Sequence, residues 1–341
     1  MPVAEEFENL ENHPACWRGN ELFQRSDWLY QLNSTQLAEI SAISQTANDL
    51  RIEETRATDF STPDLASLLQ RIQHSLENGS GATLIRGLPI DKFSVDQLKK
   101  VFWIIASQIG TPVSQSAAGE RIFSVRNEGF SESDPRARGP NSKKKLSFHT
   151  DRCDVIGFLC VRQAKFGGEN SIVSALTLYN KIRADRPDLL KVLMEPFYYK
   201  RHNVDAGNTK PFIEQPIFSI FEGHFAANIL RVLIDRAYQM PELPDMTDIQ
   251  REALDFVEKM ASDPDLHVSF RQEPGDMLFL NNFTIFHRRQ EFEDFEEPEL
   301  RRHLLRIWLS VPNSRPLDPM FAGNYGNTEA GALRGGMNPV A

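Results

Sequence analysis

The sequence predicts an α+β fold, mainly β in its core, of sandwich or jelly-roll type with flanking helices and a helical N-terminal region. Three observations point there. Helical periodicity is concentrated in the stretch up to Gly110. Beyond it, short β-type runs alternate with Gly, Pro and Asn turns, the pattern of a closed or double-sheet β core. The composition, 40% hydrophobic and 25% charged over 341 residues, is that of a globular protein and not of a disordered, fibrous or coiled-coil chain.

Taken in order, residues 1–30 carry no clear period. From Ser34, Leu37, Ile40, Ile43 and Leu50 fall on one helical face. A second helix is framed by Thr62 as N-cap, Pro63 in the first turn and Gly79 as its stop. Leu65, Leu68, Leu69, Ile72 and Leu76 form its apolar stripe. Residues 82–86 read as a strand. Ser94 and Gln97 have capping-box spacing and open a helix that carries Leu98, Val101, Phe102, Ile105 and Ile109. Strands follow at 122–125, 155–161, 171–174, 217–221, 268–270, 277–280 and 304–311. A helical stretch over 178–194 interrupts them, and so does another from Thr247 that repeats Ile249, Ala253, Phe256, Val257 and Met260. Residues 131–145 are polar and basic with no large apolar side chain, which predicts a loop and a candidate lid. The expected organisation is one domain over 1–312, helical in 1–80 and β-rich in 80–312, followed by a poorly ordered tail over 313–341 rich in Pro, Gly and Asn.

Charge narrows the function. Lys and Arg number 38 against 47 Asp and Glu, a net charge of −9. Nucleic-acid and anionic-membrane partners need a basic face, so neither is expected. Cys16, Cys153 and Cys160 make an odd set in a long chain, which argues against a disulfide framework and for a reducing compartment. The acidic start has no signal-peptide pattern, and no apolar run approaches the roughly 20 residues that span a bilayer. The expectation is a cytoplasmic protein with a small-molecule partner and no stated oligomeric state.

One constellation could do chemistry. In extended chain His149 and Asp151 point to the same face. A second imidazole, His287, follows a turn at Gly275 and Asp276, an apolar strand and the pair Asn281 and Asn282. Two His and one carboxylate form the facial triad of non-haem Fe(II) oxygenases. The bland alternative is a surface His beside a solvated Asp. Arg302 and Arg306 stand at period-2 spacing in the run ending at Val311, which has no acidic residue. A guanidinium turned into a β core needs an anionic partner, and its fork suits a carboxylate. For Arg301 the better reading is a solvated cluster with Glu296, Glu297 and Glu299. Gly167 and Gly168, before Asn170 and Ser171, read alone as an ordinary turn.

In order and separation, His149 and Asp151, Gly167 and Gly168, Gly275 and Asp276, Asn281 and Asn282, His287, and Arg302 and Arg306 together resemble one family over roughly residues 80–312. It is the taurine dioxygenase/clavaminate synthase-like (TauD/TfdA) family of Fe(II)- and 2-oxoglutarate-dependent dioxygenases. The resemblance implies a double-stranded β-helix and an iron site made by His149, Asp151 and His287. It implies Arg306 on the far carboxylate of 2-oxoglutarate, with Arg302 nearer the metal-chelating end. Where the family usually has a Thr that also bonds the far carboxylate, this chain has Asn170, followed by Ser171. The implied reaction consumes O2, releases succinate and CO2, and hydroxylates an unactivated C–H bond. Because related halogenases lack a carboxylate at the Asp151 position, halogenation is not implied.

The substrate is less legible. Arg136, Arg138, Lys143, Lys144 and Lys145 allow an anionic or amino-acid-like molecule if their loop folds over the site, or a solvated loop if it does not. Arg152 and Asp154 either face substrate or make local ion pairs. His202, His224 and His303 read as structural or exposed, and Cys153 and Cys160 as core thiols. The rival to an enzyme is a non-enzymatic, metal- or metabolite-binding cupin-like protein.

Overall fold

The computed structural model describes residues 7–47, 49–129, 139–202, 205, 208 and 210–339. The architecture is mixed α+β, with a large sheet, a smaller one and helices on their outer faces. After β1 (Leu29–Gln31) comes α1 (Ser34–Thr46), opened by a capping box between Asn33 and Gln36. Next is α2 (Pro63–Asn78), whose Pro63 costs nothing at a helix start and whose stripe from Leu65 to Leu76 is buried. Then follow β2 (Ala82–Arg86) and α3 (Val95–Ser107), capped as expected by Ser94 and Gln97. The central segment supplies β3 (Thr111–Val113), β4 (Ile122–Val125), β5 (Val155–Arg162), β6 (Phe166–Gly167) and β7 (Asn170–Ser174).

The single helical stretch expected over 178–194 is two helices, α4 (Ala175–Asp185) and α5 (Pro187–Leu193). Pro187 has no N–H and crowds the residue before it, so Arg186 leaves the helical region at φ −145°, ψ 67°. Two hairpins follow, β8 (Phe197–Lys200) with β9 (Phe212–Gln215) and β10 (Phe218–Phe221) with β11 (His224–Ala227). Then come α6 (Arg231–Ala237), α7 (Asp248–Ala261), β12 (His267–Phe270), β13 (Met277–Asn281), β14 (Ile285–Arg289), β15 (Phe292–Glu293), β16 (His303–Ser310) and α8 (Ala322–Tyr325).

The large sheet runs β1-β2-β13-β5-β16-β3, with β4 also on β16. The small sheet runs β12-β7-β14. One face of the large sheet and one of the small sheet meet in an apolar cluster that joins Ile156, Leu278, Leu280 and Trp308 to Ile172, Val268 and Ile285. The outer face of the large sheet is covered by α1–α3, through residues such as Ile40, Leu69 and Phe102 against Leu159, Phe279 and Ile307. The small sheet is covered by α4, α5 and α7 through Val173 and Phe286. Among the described residues, no helix is long and apolar enough to cross a membrane.

The C-terminal segment corrects the expectation of a poorly ordered tail. Leu317, Phe321, Tyr325 and Arg334 are buried. Arg334 Nε donates to Asp154 Oδ1 at 2.6 Å, and both side chains are sealed from solvent. The Gly, Pro and Asn content that suggests disorder is spent on turns, and the turns carry a buried ion pair.

Candidate functional site

Strand pairing assembles the site. His149 and His287 form a two-way backbone bridge, each N–H donating to the other's carbonyl at 3.0 Å. Their rings stand 4.5 Å apart. His149 Nδ1 lies 2.9 Å from the Ser147 carbonyl, which engages that nitrogen and leaves Nε2 for a ligand. The Asp151 backbone N–H donates to Asn282 Oδ1 at 3.0 Å, so Asn282, directly after β13, holds the backbone that carries the carboxylate. One ligating atom from each of His149, Asp151 and His287 lies within 4.8 Å of the others. Asp151 Oδ2 is 3.3 Å from His287 Nε2 and is buried without a hydrogen-bond partner. Burial pushes the Asp151 carboxyl up, but Arg306, His287 and His149 outweigh it and hold the group well below the usual carboxylate range. Burial, reinforced by His287, pushes His149 down to about 4. A neutral His149 imidazole and an ionised Asp151 carboxylate are protonation states that a metal ion needs. The donor set therefore fits a divalent iron.

The two arginines divide the floor of the cavity. Arg306 Nη1 lies 3.6 Å from Asp151 Oδ1, and its Nε donates to Gln115 Oε1 at 2.7 Å. Arg302 precedes the strand irregularity between His303 and Leu304. It stacks over Phe292 with 5.2 Å to the ring centre and makes no contact with the triad. Hence Arg306, not Arg302, stands at the metal end, the reverse of the order the resemblance implies. Four residues of strand separate their backbones by about 13 Å, and both side chains line the same cavity. Arg302 is 2% exposed, and its Nε and Nη1 have no partner. Burial pushes it down to about 10. A buried cation with two unused donors is a fitted seat for a carboxylate.

The Gly turn now has a physical role. Gly168 has φ +75°, and a Cβ there would lie 3.2 Å from Arg302 Nε, so the turn packs against the guanidinium. Asn170 lines the cavity and donates to Gln272 Oε1, whereas Ser171 is turned away onto Ser269 and Gln290. Residues 131–138 of the expected lid lie outside the described residues, while Lys145 lines the cavity. Arg152 both lines the cavity and pairs with Asp205 at 2.7 Å; Asp154 is buried with Arg334. His303 bonds Ser124 Oγ, His224 is exposed, and His202 lines the cavity. Cys153 and Cys160 are buried free thiols that burial pushes up, Cys160 to about 12. Gln115 and Arg289 escaped the sequence reading, because a lone Gln or an Arg at a strand end carries no local signal. The cavity measures about 700 Å³, within the usual range for small-ligand sites.

A family model described as "Taurine catabolism dioxygenase TauD, TfdA family" matches residues 43–308. FR-33289 synthase of Streptomyces rubellomurinus is 29% identical over 312 residues, covering 88% of this chain and 90% of that protein. Taurine hydroxylase-like protein SAT17 of Stachybotrys chartarum is 26% identical over 331 residues, covering 91% and 84%. Among solved structures, an asparagine oxygenase in complex with Fe(II), 2S,3S-3-hydroxyasparagine and succinate superposes with a TM-score of 0.66 at 15% identity. It covers 83% of this chain and 94% of that one. The non-haem iron oxygenase OrfP with Fe, succinate and (3S)-hydroxy-L-Arg gives 0.62 at 14% identity over 83% and 94%.

Proposed function

This chain belongs to the TauD/TfdA family and is a 2-oxoglutarate-dependent non-haem iron dioxygenase, and from that premise we propose which residues do the work and on what kind of molecule. His149, Asp151 and His287 hold Fe(II). Arg302 anchors the far carboxylate of 2-oxoglutarate, with the Asn170 amide beside it, and Arg306 balances charge at the metal end. The core that carries them is read as a double-stranded β-helix within one domain, whose two sheets pack face to face next to the site. The substrate is a small molecule, amino-acid-like or anionic, with no nucleic acid or membrane involved.

When bound, iron and 2-oxoglutarate supply O2 activation, with release of succinate and CO2 and oxidation of an unactivated C–H bond. The chain's own residues have simpler tasks. His149, His287 and Asp151 would present three donors to the metal, the donor set that leaves further positions open to co-substrate and O2. Arg302 and Arg306 bind and orient a diacid along β16 and neutralise its charge. Gln115 holds the Arg306 fork in place through its Nε. Trp308 and Phe158 give the cavity apolar walls.

The observation that carries this reading is the meeting of three ligating atoms from remote parts of the chain within 4.8 Å, with a buried Asp151 oxygen left without a partner. The test is anaerobic mixing with Fe(II) and 2-oxoglutarate. A weak visible metal-to-ligand charge-transfer band is expected, lost in His149→Ala, with succinate released on admission of air. A protein that gives neither band nor succinate would be the non-enzymatic, metabolite-binding rival instead.

A further inference from the structure

The chain has a net charge of −9, yet among the described residues its main cavity is lined by ten Lys and Arg against three Asp. Arg302 and Arg306 are accounted for by the co-substrate, and Asp151 by the metal. A second cationic group remains. Arg152 Nη1 and Arg201 Nη1 share a single carboxylate oxygen, Asp205 Oδ2, at 2.7 and 3.0 Å. Two guanidiniums on one carboxylate leave an uncompensated positive charge at the cavity wall. Arg201 is otherwise committed, with Nε on the Lys210 carbonyl and Nη2 on the Gly323 carbonyl. Arg152 is not, because its Nε is buried and has no hydrogen-bond partner. The Arg152 side chain keeps 14% of its surface accessible, so an oxyanion in the cavity can meet the guanidinium and offset the uncompensated charge.

The position suits a substrate group. Arg152 and the triad line the same cavity, so an anion held by its guanidinium shares that space with the metal site. The wall behind it is built by the C-terminal segment, beyond residue 308 where the family match ends. The Gly336 N–H donates to the Arg152 carbonyl at 2.7 Å. Gly335 has φ +75°, and a Cβ there would come within 2.8 Å of that same carbonyl. Asn324 and Met337 from this segment line the same cavity.

We propose that Arg152 anchors an oxyanion group of the substrate, a carboxylate or a phosphate-type group, so that the enzyme oxidises a C–H bond of a small acid held on a wall completed by residues 324–337. The proposal rests on the dioxygenase reading and names the substrate class within it. Guanidinium forks recognise both kinds of oxyanion, so the experiment separates them.

The test uses the full chain with Fe(II) and saturating 2-oxoglutarate under anaerobic conditions, which occupies Arg302 and Arg306. Acetate and inorganic phosphate are titrated separately at fixed ionic strength, reading the visible band and Tm. At least one is expected to shift the band and raise Tm, and the better of the two identifies the headgroup class. Arg152→Gln is expected to weaken that midpoint about tenfold or more, with Arg152→Lys in between. In Arg152→Gln the Asp205 carboxylate keeps Arg201 and Asn208, so its loss of partners is partial and the Fe(II)–2-oxoglutarate band still forms. Failure of both anions to act, or an equal response in Arg152→Gln, would overturn the proposal. Absence of the band in the unsubstituted protein would instead sink the dioxygenase reading and this proposal with it.

Discussion

Arg302 is the side chain whose surroundings make least sense without a ligand. It is 2% exposed, and two of its donors have no hydrogen-bond partner. Replacing it with Met removes an unpaired buried charge, so the protein without 2-oxoglutarate should gain stability, by about 1–3 kcal/mol. The same change should raise the 2-oxoglutarate requirement by about one to two orders of magnitude while leaving Fe(II) affinity nearly intact. Thermal unfolding with and without 2-oxoglutarate checks both, and a variant that unfolds earlier than its parent without the diacid would contradict the first part. That Arg302 and Arg306 point into the core was legible from period-2 spacing in an apolar, acid-free run. Which of them stands by the metal was not, because that depends on where β16 passes Asp151.

Elements show the same division. The capping boxes at Asn33, Ser94 and Thr247 bond as local chemistry requires, so helix starts were readable. The tail was misread, since its order comes from a contact across the fold. Arg334→Ala leaves Asp154 buried without its cation, for which the expected loss is about 3–5 kcal/mol, measured as a drop in the urea midpoint. In the middle of β5, a Cβ on Gly157 would lie 2.7 Å from the Phe279 ring and 3.0 Å from Ile307. Gly157→Ala overpacks the seam between large sheet and helices and should cost about 1–3 kcal/mol by the same measurement. If Gly157→Ala were neutral, the register of β5 against β13 would need revision.

At the scale of the whole molecule, acid sensitivity follows from buried imidazoles. Burial is the main cause that pushes His13, His149 and His303 down to about 4, with Arg315, His287 and Arg162 adding to it respectively. In the unfolded chain a histidine titrates near 6.5, so between about 6.5 and 4 the unfolded state binds protons that the native state refuses. These histidines therefore contribute stability that is fully present above 6.5 and is lost as the pH falls toward 4. The Tm of the metal-free protein should decline across that window, and His303→Gln should make the decline shallower by one proton. A Tm independent of pH over this range would mean that the imidazoles are hydrated. The sequence by itself determined the parts: helix starts, the strand-rich core, the candidate metal-binding side chains His149, Asp151 and His287, and a pair of inward arginines. Those follow from local propensity, periodicity and donor chemistry, which act over a few residues. Only the tertiary structure decided that these three side chains come together, that Arg306 rather than Arg302 lies next to them, and that the C-terminal segment forms a wall behind Arg152. Such facts arise from pairings between segments more than a hundred residues apart, where a carboxylate or guanidinium is stabilised only by whatever the fold brings against it.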